Sequence, residues 1–289
     1  MCTITIFLIF TFHFFTFYNS RCFRKCYHLF FLKPNDTHYL RKAYMDLDVI
    51  SMMAHPDDAE ILSGGTLIKL KDQGYAVGII DFTRGEMGTR GTVGQRTREA
   101  ACSAEIMGVD IRENLEFPDA LIENTVENRS RVVRAIREYR PHIVITHDRN
   151  NRNPDHTHTS MLVQESCFTA GLAKYDTGQP PHRPNKILFT MEYFEFKPTI
   201  IIDITEQFER KIKAVGCYRS QVHNLEHKGL PTYISSDRFS QEIESRMRYF
   251  GSRIHTDFAE VFRMDTPVEI HDLVVEIGLR ALIPGQGRK

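Results

Sequence analysis

From residue 47 onward, short unbroken apolar runs alternate with longer amphipathic stretches, and this rhythm limits the fold more than any other feature. "LDVISMM", "AVGIIDFT" and "HIVITH" are strand candidates, and continuous apolar stretches within them such as "VGII" and "IVIT" fit a sheet covered on both faces. Between them lie stretches of helical length: "AEILSGGTLIKLKDQG" stopped by Gly74, "GQRTREAACSAEIMG" stopped by Gly108, and "NRSRVVRAIREYR" stopped before Pro141. "ENLEF", "KILFT" and "TIIIDI" read as shorter strands. A helix from about His156 to Leu172 and another in "EQFERKIKAVGCYRSQ" complete the series. Parallel strands joined by crossover helices follow: an α/β, Rossmann-like, doubly wound and mostly parallel sheet flanked by helices. Residues 45–289 read as a single domain. Its part after about residue 222 is less regular, with one helix around Gln241–Phe250, and is expected to fold over the mouth of a site or to serve assembly.

The first 44 residues do not share this pattern. "ITIFLIFTFHFFTFY" is apolar but too short for the ~20 residues of a spanning helix, and it lacks the basic start of an export signal. A short anchor, a degenerate signal, or translation that truly starts at Met45 all fit, and the last is favoured because the folded pattern begins there. A formal net charge of zero gives no reason to expect nucleic acid or an anionic membrane surface as a partner. Cys102, Cys167 and Cys217 are widely spaced, which reads as separate buried thiols in a reducing, cytoplasmic setting.

In open α/β sheets ligands bind beyond the carboxyl ends of the strands. Two polar clusters fall at such ends. The first is His55, Asp57, Asp58 and Glu60; the second is "HDRNNRNPDHTH", His147 to His158. A catalytic zinc takes three protein ligands from imidazole and carboxylate and keeps an open position. His55 and Asp58 span a strand-to-helix turn and His156 opens a helix, so all three can converge on one ion. Asp57 is then left free as a general base for hydrolysis. The competing reading is structural: His-Pro ends a strand, and Asp57 and Asp58 cap the next helix.

"AHPDDAE" with a downstream "NPDH" resembles the zinc-dependent N-acetylglucosaminyl deacetylases, the PIG-L/LmbE-like hydrolases. "FTRGEMGTRGTVGQRTREAA", "LEFPDALI" and "LVQESCFTAGLAKY" look most like the deacetylases of bacillithiol biosynthesis, and the likeness runs over about residues 46–222. The resemblance implies one Zn2+ per chain on His55, Asp58 and His156, Asp57 as general base, and Arg96 with Asp119 at the sugar hydroxyls. Relatives commonly carry a histidine that stabilises the oxyanion where this chain has Asn153, whose amide donates a hydrogen bond but never becomes a charged acid. His147 and His158 are the nearby candidates to compensate for it, and Asp155 is freed to orient its neighbours.

The implied reaction is removal of the acetyl group, by cleavage of a linear amide, from an N-acetylglucosaminyl conjugate such as N-acetylglucosaminyl-malate. Arg84 and Arg90 are candidates to meet an anionic aglycone. A deacetylase of another N-acetyl sugar, or a metal- and sugar-binding protein with weakened catalysis, is the alternative, and a homo-oligomer is compatible with both. Two histidines and a carboxylate also suit Fe(II) oxygenases, but those sit on all-β folds. The glycines form neither G-x-G-x-x-G nor a phosphate loop.

Overall fold

All five residues of Val49–Met53 are buried, as a strand covered on both faces requires. The computed structural model describes residues 46–222 and 229–273. The expectations for residues 1–44 fall outside the described residues. In chain order the elements are β1 (Val49–Met53), α1 (Asp58–Asp72), β2 (Val77–Thr83), α2 (Val93–Met107), β3 (Ile111–Phe117), α3 (Val126–Tyr139) and β4 (Ile143–His147). They continue with α4 (Pro154–Ala170), β5 (Lys186–Thr190), β6 (Ile200–Asp203), α5 (Phe208–Gly216), α6 (Asp237–Ser252) and β7 (Ala259–Arg263).

The strands form one seven-stranded sheet in the order β3-β2-β1-β4-β5-β7-β6. The pairings from β3 through β5 are parallel. Side chains alternate across β1: Ile50 and Met52 pack with Val132, Ile136 and Leu162 of α3 and α4. Val49 and Met53 pack on the other face with Leu67, Met107 and Ala214 of α1, α2 and α5. The doubly wound expectation holds, with one addition. "AEVFR" becomes β7 and enters antiparallel between β5 and β6. Its Glu260 and Arg263 hide the strand from an apolar reading, yet Glu260 is 4% exposed. Among the described residues no helix is long and apolar enough to cross a membrane.

The cysteine expectation needs correction. Cys102 on α2 and Cys217 just after α5 form a disulfide across a separation of 115 residues, while Cys167 is free and buried. Spacing of that size leaves no pairing signal in a sequence.

Helix α1 has an unusual interior. The N–H groups of Gly65 and Thr66 donate to the Glu260 carboxylate at 2.9 and 2.7 Å. The Lys211 ammonium donates to the Ile61 carbonyl at 2.7 Å and pairs with Glu260 at 2.5 Å. A buried ion pair thus adds partners to main-chain groups one helical turn apart in α1. The two glycines differ in what surrounds them. A Cβ on Gly65 would lie 2.5 Å from Cδ1 of Ile204, whereas one on Gly64 meets only an ordinary contact, Lys211 Cγ at 3.5 Å. Gly65→Ala is therefore expected to lower the unfolding free energy by about 1–2 kcal/mol net of its helix-propensity gain. Gly64→Ala is expected to raise it by up to about 1 kcal/mol, and denaturant melts of the two variants check the contrast.

Candidate active site

Strands β1 and β4 are neighbours, yet β1 leads by α1 to one side of the sheet and β4 leads by α4 to the other. That divergence opens a crevice beyond their carboxyl ends. A cavity of about 340 Å³ lies there, lined by His55, Asp57, Asp58, Arg96, Asp119, Asn153, Asp155, His156 and Glu192, among others. Asp57 stands at the N-cap of α1 with φ 117°, a left-handed conformation that costs a non-glycine residue free energy. Its side chain makes no capping bond, so the helix-cap reading of Asp57 fails. Asp58 accepts the His55 N–H at 2.8 Å, which closes the turn. On the other wall, Asn153 caps α4 by accepting the Asp155 N–H at 3.0 Å, and Pro154 follows it at the first helical turn.

His55 Nδ1, His156 Nε2 and Asp58 Oδ2 form a triangle with sides of 3.2, 3.2 and 3.4 Å. A tetrahedral ion bound at about 2.0–2.1 Å holds neighbouring donors about 3.3 Å apart, so these residues fit zinc. Outer contacts strengthen the fit. Nε2 of His55 lies 3.2 Å from Asp119 and 3.5 Å from Asp155. Nδ1 of His156 lies 2.6 Å from Glu192. Each imidazole thus faces the triangle with one nitrogen and a carboxylate with the other, the arrangement that orients metal-binding histidines.

The lining carries six carboxylates, from Asp57, Asp58, Asp119, Asp155, Glu192 and Glu242, against the guanidinium groups of Arg96, Arg152 and Arg246. The surplus of acid calls for positive charge. Burial works against a charged His156, but Asp58 and Glu192 outweigh it and raise its pKa to about 9. His55 behaves likewise: burial opposes its charge, while Asp119, Asp155 and Asp58 hold it well above the usual imidazole range. Burial pushes Asp57 up to about 7, although Arg96 pulls it down. The Arg96 guanidinium lies 3.2 Å from the Asp57 carboxylate and also donates to the Pro56 carbonyl.

Of the candidates drawn from the sequence, His55, Asp57, Asp58, Arg96, Asp119, Asn153 and His156 line this cavity. Arg96 and Asp119 do so while holding Asp57 and His55 respectively. Glu60 leaves the group: it is fully buried and bound by Arg112, Ser103 and Tyr218. Arg84 and Arg90 are not among the lining residues; Arg84 faces Glu116 at 4.0 Å and Arg90 is buried elsewhere. His147 does not line the cavity either, being stacked behind His156 with ring centroids 3.9 Å apart, nor does His158, which bonds the Ile122 carbonyl. Asp155 does orient its neighbours, accepting the N–H of Ala120 at 2.7 Å and of Ile122 at 3.3 Å. Sequence reasoning missed Glu192. It sits just past the end of β5, the position that marked the other two clusters.

A family model described as "PIG-L: GlcNAc-PI de-N-acetylase" matches residues 50–167. Diacetylchitobiose deacetylase of Thermococcus kodakarensis is 36% identical over 188 residues, covering 60% of this chain and 69% of that protein. The chain belongs to the PIG-L family. The PIG-L chain also superposes on the conserved protein TT1542 of Thermus thermophilus with a TM-score of 0.71 at 33% identity, over 78% of this chain and 97% of that one. A Bacillus cereus protein named as a probable N-acetyl-alpha-D-glucosaminyl L-malate deacetylase is 28% identical, over 63% of this chain and 86% of its own. A Pseudomonas putida relative, 25% identical over 60% of this chain and 74% of its own, is named 4-oxalmesaconate hydratase. These names span more than one chemistry.

In the metal-free protein the Asp57 proton is expected to leave near pH 7. Arg96→Met removes the cation that favours the carboxylate, so the transition should move to higher pH, as carbon-13 NMR titration of the Asp57 carboxyl would show.

Proposed function

We propose that the protein is a zinc-dependent amidohydrolase that removes the acetyl group from an N-acetylglucosamine-type conjugate. The observation that carries this reading is the donor triangle of His55, Asp58 and His156 with the uncapped Asp57 carboxylate beside it. Zinc held by those three residues would polarise the acetyl carbonyl and lower the pKa of a bound water to about 7.

The chain's own groups account for the rest. Asp57 takes a proton from the attacking water as its oxygen adds to the acetyl carbon. Arg96, buried against Asp57, favours the ionised form that this step needs. Asn153 spends its amide oxygen on the helix cap, which leaves its N–H groups to donate to the carbonyl oxygen as negative charge develops there. The C–N bond then breaks, Asp57 returns the proton to the departing nitrogen, and acetate and an amino sugar result. Asp119 and Asp155 keep the His55 ring in place throughout.

The family relatives support an N-acetyl sugar as the substrate, and the one at 36% identity acts, by its name, on diacetylchitobiose. The malate conjugate suggested by the motifs has its counterpart at 28% identity. We therefore place diacetylchitobiose and N-acetylglucosaminyl-malate together at the head of the substrate range. Zinc-loaded protein is expected to release acetate from at least one of them, and chelation should stop the reaction until zinc is restored. Asp57→Asn should retain zinc and lose about 100-fold or more in kcat. Near-parental turnover by that variant would remove Asp57 as the base. Hydration of 4-oxalmesaconate with no acetate release would instead favour the chemistry named for the Pseudomonas relative. Asn153→His is expected to raise the deacetylation rate, because an imidazolium gives the oxyanion a charged donor.

A further inference from the structure

Glu192 lies beyond residues 50–167, the segment that matches the family model, yet it reaches the donor triangle. Its Oε2 lies 2.6 Å from Nδ1 of His156 and accepts the side-chain N–H of Asn151 at 2.7 Å. Arg246 of α6 donates to the main-chain carbonyls of Met191 and Glu192 at 3.2 and 2.9 Å, which fixes the strand end that carries the carboxylate. On its face, the His156 ring lies against His147 at an angle of 11°. The ring therefore has little freedom to turn.

A neutral imidazole carries one proton, and the bond made by one nitrogen decides which nitrogen has the free lone pair. A carboxylate at Nδ1 places the proton there and leaves the Nε2 lone pair facing Asp58 and His55 Nδ1. His55 is arranged the other way round, with Nε2 toward Asp119 and Asp155. The two imidazoles thus present opposite nitrogens to the triangle, and each faces its own carboxylates with the other. Asp155 precedes His156 in the chain, but it serves His55; His156 relies on an acid 36 residues further on.

We propose that Glu192 is a positioning residue that sets the tautomer and orientation of His156 and thereby the zinc affinity of the triangle. The assignment rests on the zinc reading above. It makes the segment after α4, with α6 bracing it through Arg246, part of the cation site.

Zinc dissociation constants of the full chain, measured by chelator competition, test it, with melting of the metal-free proteins alongside. Glu192→Ala is expected to weaken zinc by about 10- to 100-fold. Glu192→Gln keeps the size and an accepting oxygen but loses the charge, so it should fall between Ala and wild type. Nitrogen-15 NMR of the zinc-loaded wild type should find His156 protonated at Nδ1. A residue that served only the fold would lower the melting temperature of the metal-free protein and leave zinc affinity unchanged. Unaltered affinity in Glu192→Gln, which decides alone should Glu192→Ala not fold, overturns the assignment, as does a His156 proton on Nε2. Wild-type protein that takes up no zinc overturns the zinc reading and this assignment with it.

Discussion

The site depends on an electrostatic imbalance created by backbone topology. Parallel pairing of β1 with β4 brings two strand ends together, and each end leads into a turn dense with ionisable groups. Carboxylates gathered in a poorly solvated cleft repel one another unless positive charge lies among them. Here the imidazoles of His55 and His156 stand between Asp58 on one side and Asp119, Asp155 and Glu192 on the other. The arrangement is suited to a divalent cation, and the positive φ of Asp57 belongs to the same design. A strained residue keeps its carboxylate out of the helix cap and against Arg96.

The split between site and scaffold runs through a single motif. Of the polar groups in "HPDDAE", His55, Asp57 and Asp58 face the cavity. Glu60 faces the opposite way and is fully buried, where Arg112 bridges it to Asp81. Arg112 reaches Asp81 through two bonds of 2.9 and 3.0 Å, which joins β3 to β2 beneath α1. A charged residue in that stretch is thus no guide by itself to a role in binding. Its side of the helix decides.

Much of this was legible from sequence because it followed from apolar periodicity and from residues close together in the chain. The strands β1, β2 and β4 announce themselves by short, largely apolar runs, and the carboxyl ends of β1 and β4 mark where His55 and His156 meet. What escaped depended on partners far apart. β7 carries Glu260 and Arg263, which read as surface residues until Lys211 and Asp148 are found opposite them. Glu192 follows a strand of five residues and has no neighbouring motif to draw attention to it. The Cys102–Cys217 link joins helices whose proximity only the folded chain reveals. The expected sugar contacts, Arg96 and Asp119, were found in the right cavity but already engaged with Asp57 and His55, a distinction no spacing rule supplies.

The ion pair threaded against α1 has a bearing on how the molecule is assembled. Backbone groups at Ile61, Gly65 and Thr66 find their partners 150 to 195 residues later in the chain. A nascent polypeptide that has emerged only as far as α4 already holds both histidine turns, yet it lacks Lys211 and Glu260, which hold α1 from outside. The helix that follows the first histidine turn therefore gains one contact with the arrival of α5 and two more with that of β7. Glu260 thus ties α1 to β7 through residues that do not line the cleft.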